Sequence, residues 1–274
     1  MGWMRENTPE EPLSYTEYYP PPEDGDFDYP PDAYGVMSWW DYGHWITVSA
    51  QRIPFANPFQ EGPRPASAYL QSQSENRANL ILEALPSLDD EATGIADLSN
   101  DDLRSIIEQQ SDQEAAEDTR YVVIDDLMAG GKFGAIATWT GPGQNAYYAR
   151  QQFEVADQTA QLVGVNRRYH TTMLARLYFA DATGLAHYRL VHESETVSTF
   201  GSVAQQTAGG GFQSTNFINR RINNQIFATV QQRPDLVFYD VRQASRVKTF
   251  ERVAGAQLTG TANASNGKIG RAHV

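Results

Sequence analysis

Apolar residues in this chain gather into short separate runs, and the polar positions between them set the element boundaries. Val36-Met37-Ser38 reads as a short strand entering a Trp-rich turn. A helix is expected from about Asp41 through His44-Trp45-Ile46-Thr47-Val48 toward Arg52, stopped by Pro54 and Pro58. From Ser67 to Leu85, the positions of Leu70, Leu80, Ile81 and Leu85 suit one apolar helical face, and Pro86 ends it. Asn100 or Asp101 caps another helix carrying Leu103, Ile106 and Ile107. Tyr121-Val122-Val123-Ile124 is a continuous apolar run, the pattern of a buried strand, and it delivers Asp125 at its carboxyl end. Trp139 to Gly143 is a turn. Arg167 to Asp181 reads as a helix with Met173, Leu174, Leu177 and Tyr178 inward, and Tyr188 to His192 as a strand. Leu236–Val241 and Val247–Val253 alternate as strands, and Gln257-Leu258-Thr259-Gly260 starts another.

The segments between these runs divide the chain. Residues 1–30 are rich in Pro, Glu, Asp and Tyr, and Pro20-Pro21-Pro22 with Pro30-Pro31 favour an extended surface linker over a helix. Residues 31–195 hold the central core. Residues 196–230 form a polar low-complexity stretch, Gln- and Gly-rich and then Asn- and Arg-rich, expected to be a loop or an insertion. Residues 231–268 start a β domain. The last six residues, 269–274, are what ATC GGA AGA GCA CAC GTC encodes. That string resembles sequencing-adapter DNA, so 269–274 is expected not to be protein-coding.

Charge adds a constraint. The net charge is −13, and Lys occurs only at 132, 248 and 268, so 18 of the 21 basic residues are Arg. An acidic, Lys-poor surface suits concentrated salt, where screening shortens the reach of carboxylate repulsion; an ordinary acidic protein from a GC-rich genome gives the same pattern. Either way the acidity argues against a nucleic-acid partner. There are no cysteines, which removes thiolate nucleophiles and Cys-ligated zinc. The five His lack a His-Glu-x-x-His grouping, and His187 and His192 fall on opposite faces of an expected strand. No metal site is expected within the chain. No apolar run is long enough for a membrane span, and no secretory signal is visible. Gly131-Lys132 is not a phosphate loop, because Phe133 stands where Ser or Thr is needed and Asp126 where the leading Gly is needed.

The densest chemistry is Trp39-Trp40-Asp41-Tyr42-Gly43, followed closely by Trp45. Indole N–H groups only donate and a carboxylate only accepts. Held in a turn, they can pair both ways with one hydroxyl, as on Ser or Thr. A Trp pair in a core with Asp41 as a helix N-cap explains the same residues, and both readings can hold together. Asp125, Met128, Lys132 and Ile136 follow at i, i+3, i+7 and i+11, one face of a helix that Gly130 and Gly131 weaken. Apolar residues at that spacing also suit a core.

These residues carry a resemblance. The Trp-Trp-Asp-Tyr-Gly string resembles the peptide-recognition motif of the oligosaccharyltransferase catalytic subunit family, membrane enzymes that move a lipid-linked glycan onto Asn in Asn-X-Ser/Thr. Arg52-Ile53-Pro54-Phe55-Ala56-Asn57-Pro58-Phe59-Gln60 looks like the archaeal form. Asp125, Met128, Lys132 and Ile136 resemble the family helix that lies beside the Trp-Trp-Asp pocket, in its Asp-x-x-Met form with the Lys one turn later. The start, Gly2 to Glu10, resembles the segment where the last membrane helix gives way to the globular domain, which would make Met1 an internal methionine.

The resemblance implies an α+β fold, with a mainly helical central core, a few strands, and a β-rich C-terminal part. It implies that Trp39, Trp40, Asp41, Tyr42, Gly43, Asp125, Met128, Lys132 and Ile136 bind an acceptor polypeptide, with Met128 or Ile136 against the Thr methyl. Catalytic carboxylates, a divalent metal (manganese or magnesium) and the dolichyl-phosphate-linked oligosaccharide would belong to a preceding membrane region, and this domain would sit on the extracytoplasmic face of the cell membrane of a haloarchaeon. An acidic extracellular carbohydrate-binding or adhesion module is the alternative; it requires solvent-facing Trp39 and Trp40. A carboxylate-pair glycoside hydrolase is poorly supported, since no spacing singles out an acid and a nucleophile.

Overall fold

A computed structural model of the 274-residue chain describes residues 1–20, 27, 29–30, 32–59, 62–88, 94–110, 118–155, 158–209, 211–219 and 236–255. Its strands, in chain order, are β1 (Tyr34–Met37), β2 (Ile53–Pro54), β3 (Asp118–Asp125), β4 (Tyr148–Val155), β5 (Gln158–Val165), β6 (Tyr188–Glu193), β7 (Val197–Gln206), β8 (Phe212–Asn219), β9 (Leu236–Ser245) and β10 (Val247–Arg252). The central sheet has the order β2-β1-β3-β10-β6. β1 pairs in parallel with β2 and β3, whereas β10 runs antiparallel to β3 and β6. β4 and β5 form a hairpin, and β7 lies between β8 and β9 in a three-stranded sheet.

The apolar run in β3 is buried on both faces, which is why it lacks alternation. Tyr121 and Val123 pack with Tyr34, Val36, Met4 and Ile46 on one side. Val122 and Ile124 pack with Met37, Phe250 and the helical layer on the other. That layer includes α3 (Pro63–Gln71), α4 (Glu75–Ala84), α5 (Asn100–Glu108) and the later helices below. The α+β architecture agrees with the sequence reading, with differences in detail.

The segment read as an extended linker opens with a helix, α1 (Gly2–Asn7), whose Met4 is buried. Arg52 holds it down. That side chain is buried, and donates to the carbonyl oxygens of Met4 (3.3 Å), Thr8 (3.0 Å) and Gln51 (2.6 Å) and to the Thr8 hydroxyl (2.9 Å). The last carbonyls of a short helix thus gain donors they would otherwise take from water.

Two helices expected as continuous are split by caps. Ser74 ends the link after α3 and accepts from the Arg77 N–H at 3.2 Å. Thr172, accepting from the Ala175 N–H at 3.1 Å, separates Arg167–His170 from Met173–Ala180. Hydroxyl side chains satisfy the first free N–H groups of a new helix. Of the stretch 196–230, expected to be a loop or an insertion, Val197–Gln206 and Phe212–Asn219 are strands and not loop. The inward residues of β7 are Ser198, Phe200, Ser202 and Ala204, so its buried face is mostly small or polar. Val247–Arg252, expected in a separate β unit over 231–268, instead lies within the main sheet between β3 and β6. The strand expected at Gln257–Gly260, the Asn- and Arg-rich stretch beyond 219 and residues 269–274 lie outside the described residues.

Candidate functional site

Parallel pairing builds the site. Met37 of β1 stands opposite Val122 of β3, so both strands release their chains at the same edge, where α/β scaffolds present functional groups. From β1 emerge Ser38 to Tyr42; from β3 emerge Asp125 to Lys132.

After β1 the chain enters a 3-10 turn (Trp40–Tyr42), then α2 (Gly43–Trp45) and a π-helical turn (Ile46–Ala50). Gln51 ends this run in the left-handed region, at φ 53°. Gly43 has an ordinary helical φ, and its role is space. A Cβ there would sit 2.6 Å from the Ala56 carbonyl oxygen and 2.7 Å from the Asn57 Cα. The absent side chain lets the 55–58 segment cross directly over the turn.

The second arm is not one helix. α6 (Asp126–Ala129) and α7 (Phe133–Ile136) are separated at Gly130, whose φ −113° and ψ −91° leave the helical region. The shared helical face expected for Asp125, Met128, Lys132 and Ile136 is therefore broken. The break matters for Lys132, which precedes α7 and reaches across to the first arm.

The two arms are joined by one hydrogen-bonded chain. Lys132 Nζ donates to Asp41 Oδ2 in an ion pair and to the Tyr42 hydroxyl at 3.1 Å. It also lies 4.5 Å from the Tyr42 ring centroid. The Tyr42 hydroxyl donates to Asp125 Oδ2 at 2.6 Å, and Asp125 Oδ1 accepts from the Met128 N–H at 2.8 Å, capping α6. Burial raises the Asp125 pKa above the usual carboxylate range, and the neighbouring Asp126 adds to this; the Tyr42 hydroxyl, the Met128 N–H and Lys132 oppose it.

Two polar atoms at this place have no hydrogen-bond partner among the described residues. Trp40 Nε1 and Asp41 Oδ1 are both buried and both unpaired. One is a donor and the other an acceptor. Trp39 lies deeper, only 3% exposed, and packs against Trp40 (ring centroids 6.2 Å apart) and edge-on to Trp139 (6.3 Å). The adhesion-module alternative needed Trp39 facing solvent, and its burial removes that support.

The expected site residues therefore separate into groups. Asp41, Tyr42, Lys132 and Asp125 come together in one network, and Trp40 stands on the same turn outside it. Trp39 and Gly43 shape the turn beneath it. Met128 and Ile136 are fully buried in the main core. Two residues went unrecognised in the sequence. Ser38 donates to the Val123 carbonyl oxygen at 2.9 Å and ties the turn to β3. Trp139 appeared only as the start of a turn, because its contact with Trp39 is made by the fold and has no local signal in the sequence. Among the described residues, no group of three or more His, Asp or Glu side chains is arranged to hold a metal ion. No helix among them is long and apolar enough to cross a membrane.

Comparison with known proteins adds the following. A family model described as the AglB core-like domain matches residues 1–89. The chain is similar to dolichyl-phosphooligosaccharide-protein glycotransferase 3 of Archaeoglobus fulgidus, at 28% identity over 97% of this chain and 33% of that protein. It is similar to dolichyl-monophosphooligosaccharide–protein glycotransferase AglB of Haloferax volcanii, at 35% identity over 65% of this chain and 16% of that protein. Its fold matches the structure of an archaeal oligosaccharyltransferase AglB from Archaeoglobus fulgidus in complex with an inhibitory peptide and a dolichol-phosphate. The TM-score is 0.58 at 24% identity, over 93% of this chain and 32% of that one. The chain spans a third or less of the length of these relatives.

Proposed function

The chain belongs to the archaeal oligosaccharyltransferase family, and on that premise we propose that it is the acceptor-peptide recognition domain of a membrane glycosyltransferase. The whole enzyme transfers a dolichyl-phosphate-linked oligosaccharide to Asn in Asn-X-Ser/Thr. The domain stands on the extracytoplasmic face of the cell membrane. The catalytic carboxylates and the divalent metal, manganese or magnesium, belong to the membrane region.

The observation that carries this reading is the unpaired donor and acceptor at the Trp-Trp-Asp turn, Trp40 Nε1 and Asp41 Oδ1. A hydroxyl two residues after the acceptor Asn can accept from the first and donate to the second. Lys132 holds the other carboxylate oxygen, so Asp41 presents Oδ1 in a fixed direction. Tyr42 and Asp125 position Lys132 in turn. Trp39 and Gly43 fix the turn. Met128 and Ile136 support the network from the core, and substrate contact is left to the polar residues above them. A buried polar group left unpaired costs about 1–3 kcal/mol, so a peptide lacking the hydroxyl is rejected by about one to two orders of magnitude.

The division of labour is tested by incubating dolichyl-linked oligosaccharide, manganese and an Asn-X-Thr peptide with two proteins. A version that includes the preceding membrane region is expected to form glycopeptide. The 274-residue chain is expected to form none. Product from the chain alone would overturn the assignment of the chemistry to another region.

A further inference from the structure

A solvent-open cavity of about 380 Å³ shares no residue with the Trp-Trp-Asp turn. It lies where α3 ends, where α4 and α5 begin, and beside the short helix at Arg167–His170, which we label α8. Two arginines line it, Arg77 and Arg168. Arg77 donates to the Ile95 carbonyl oxygen (2.8 Å) and to Asn100 Oδ1 (3.3 Å). Arg168 sits 5.5 Å from the centroid of the Tyr147 ring. Among the described residues neither forms an ion pair, whereas Arg104, Arg120, Arg189 and Arg252 each hold a carboxylate. In a chain with 34 acidic residues against 21 basic ones, a cavity with two unneutralised cations and no carboxylate in its lining is a local reversal of charge.

The surroundings reinforce it. The N-termini of α4 and α5 contribute partial positive charge. The acidic side chains of their first turns are engaged elsewhere: Glu75 with the backbone N–H groups of Ala186 and His187, Asp101 with Arg104, and Asp102 with the Ser99 N–H. Asp102 acts on Arg77 only through space. The uncharged lining offers further donors. The Asn100 amide N–H groups and the Ser74 hydroxyl proton are given to no acceptor among the described residues. Gln71 is held rigidly behind them, donating to the Thr140 carbonyl oxygen (3.1 Å) and accepting from the Tyr147 hydroxyl (2.9 Å).

A guanidinium fork matches a planar carboxylate, and amide and hydroxyl donors match a ring bearing hydroxyls. The volume is at the small end of ligand sites, sized for a mono- or disaccharide. We propose that this cavity binds an acidic saccharide, with Arg77 and Arg168 on its carboxylate and Asn100 and Ser74 on its ring hydroxyls. The proposal does not depend on the acceptor-peptide reading, because it uses different residues and needs no glycan transfer.

The test is titration of the ¹⁵N-labelled 274-residue chain with glucuronate, with glucose and with sodium sulfate at constant ionic strength. Glucuronate is expected to shift the amide signals of Ser74, Arg77, Asn100, Gly141 and Arg168 saturably. Glucose and sulfate are expected to bind at least about tenfold more weakly, each lacking one half of the recognition. Arg168→Gln should weaken glucuronate by about tenfold with little change in melting temperature, since Tyr147 is that side chain's one neighbour in hydrogen bonding and ring contact among the described residues. If the melting temperature falls, Arg168→Lys is read instead: it keeps the charge and loses the fork, and a several-fold weakening is expected. No saturable shift with glucuronate, glucose or sulfate binding as tightly as glucuronate, or variants that bind like the parent would overturn the proposal.

Discussion

The two carboxylate oxygens of Asp41 have different fates. Oδ2 is taken by Lys132, whereas Oδ1, like the Trp40 N–H, is buried without a partner among the described residues. Folded proteins rarely leave such atoms unsatisfied, and a donor and an acceptor orphaned on adjacent residues are what the proposed hydroxyl would pair with. The residue types needed were visible in the sequence, since Trp39 to Gly43 and Asp125 can be picked out by chemistry alone. The pairing of Asp41 with Lys132 was not, because it spans 91 positions and depends on which strands pair. Met128 and Ile136 show the opposite limit: their spacing suits a core face more often than a binding face, and both are fully buried. Met128→Ala should therefore lower stability by about 2–5 kcal/mol, as large-to-small core changes do. Chemical denaturation of the 274-residue chain measures it; a loss well under 1 kcal/mol would show that Met128 is not held in the core.

Among the elements, strands buried on both faces were the most legible. Tyr121-Val122-Val123-Ile124 could hardly be anything else, and it carries Asp125 to the site. β7 was hidden because its inward positions are Ser198, Phe200, Ser202 and Ala204, so alternation of direction is not alternation of hydrophobicity. α1 was hidden by the proline-rich segment after it and by the distance to Arg52, which anchors it. Beside that anchor, Glu11 is buried with Oε2 accepting from the Tyr34 N–H at 3.4 Å and Oε1 unpaired. Burial pushes its pKa up to about 7 from 4.5, against the pull of the Tyr34 N–H and Arg52. The folded chain then holds a proton that the unfolded chain releases between about pH 4.5 and 7. Stability from this group is complete below that window and is lost as pH rises through it. Thermal melts from pH 5 to 7 should fall more steeply for the parent chain than for Glu11→Gln, which mimics the protonated form. Parallel slopes would mean that Glu11 ionises normally.

On the scale of the whole molecule, charge and assembly dominate. With a net charge of −13, repulsion among carboxylates opposes compaction, and added salt shortens its reach to about 3 Å at 1 M. The melting temperature should rise between low and multimolar potassium chloride; a flat or falling curve would count against a chain adapted to salt. The central sheet brings together residues from both ends of the described chain, with β1 near the start and β10 near the end, so the site rests on the integrity of the whole rather than on one motif. In the complete enzyme that site is proposed to read a single hydroxyl. The measurement is the transfer rate to an Asn-X-Thr peptide divided by the rate to its Asn-X-Val counterpart, which keeps the shape and loses the hydroxyl, for the parent and for Asp41→Asn. The parent ratio should be about 10 to 100, and Asp41→Asn should bring it close to one, chiefly by slowing the Thr peptide. A ratio left unchanged by Asp41→Asn would contradict recognition of the hydroxyl at the Trp-Trp-Asp turn.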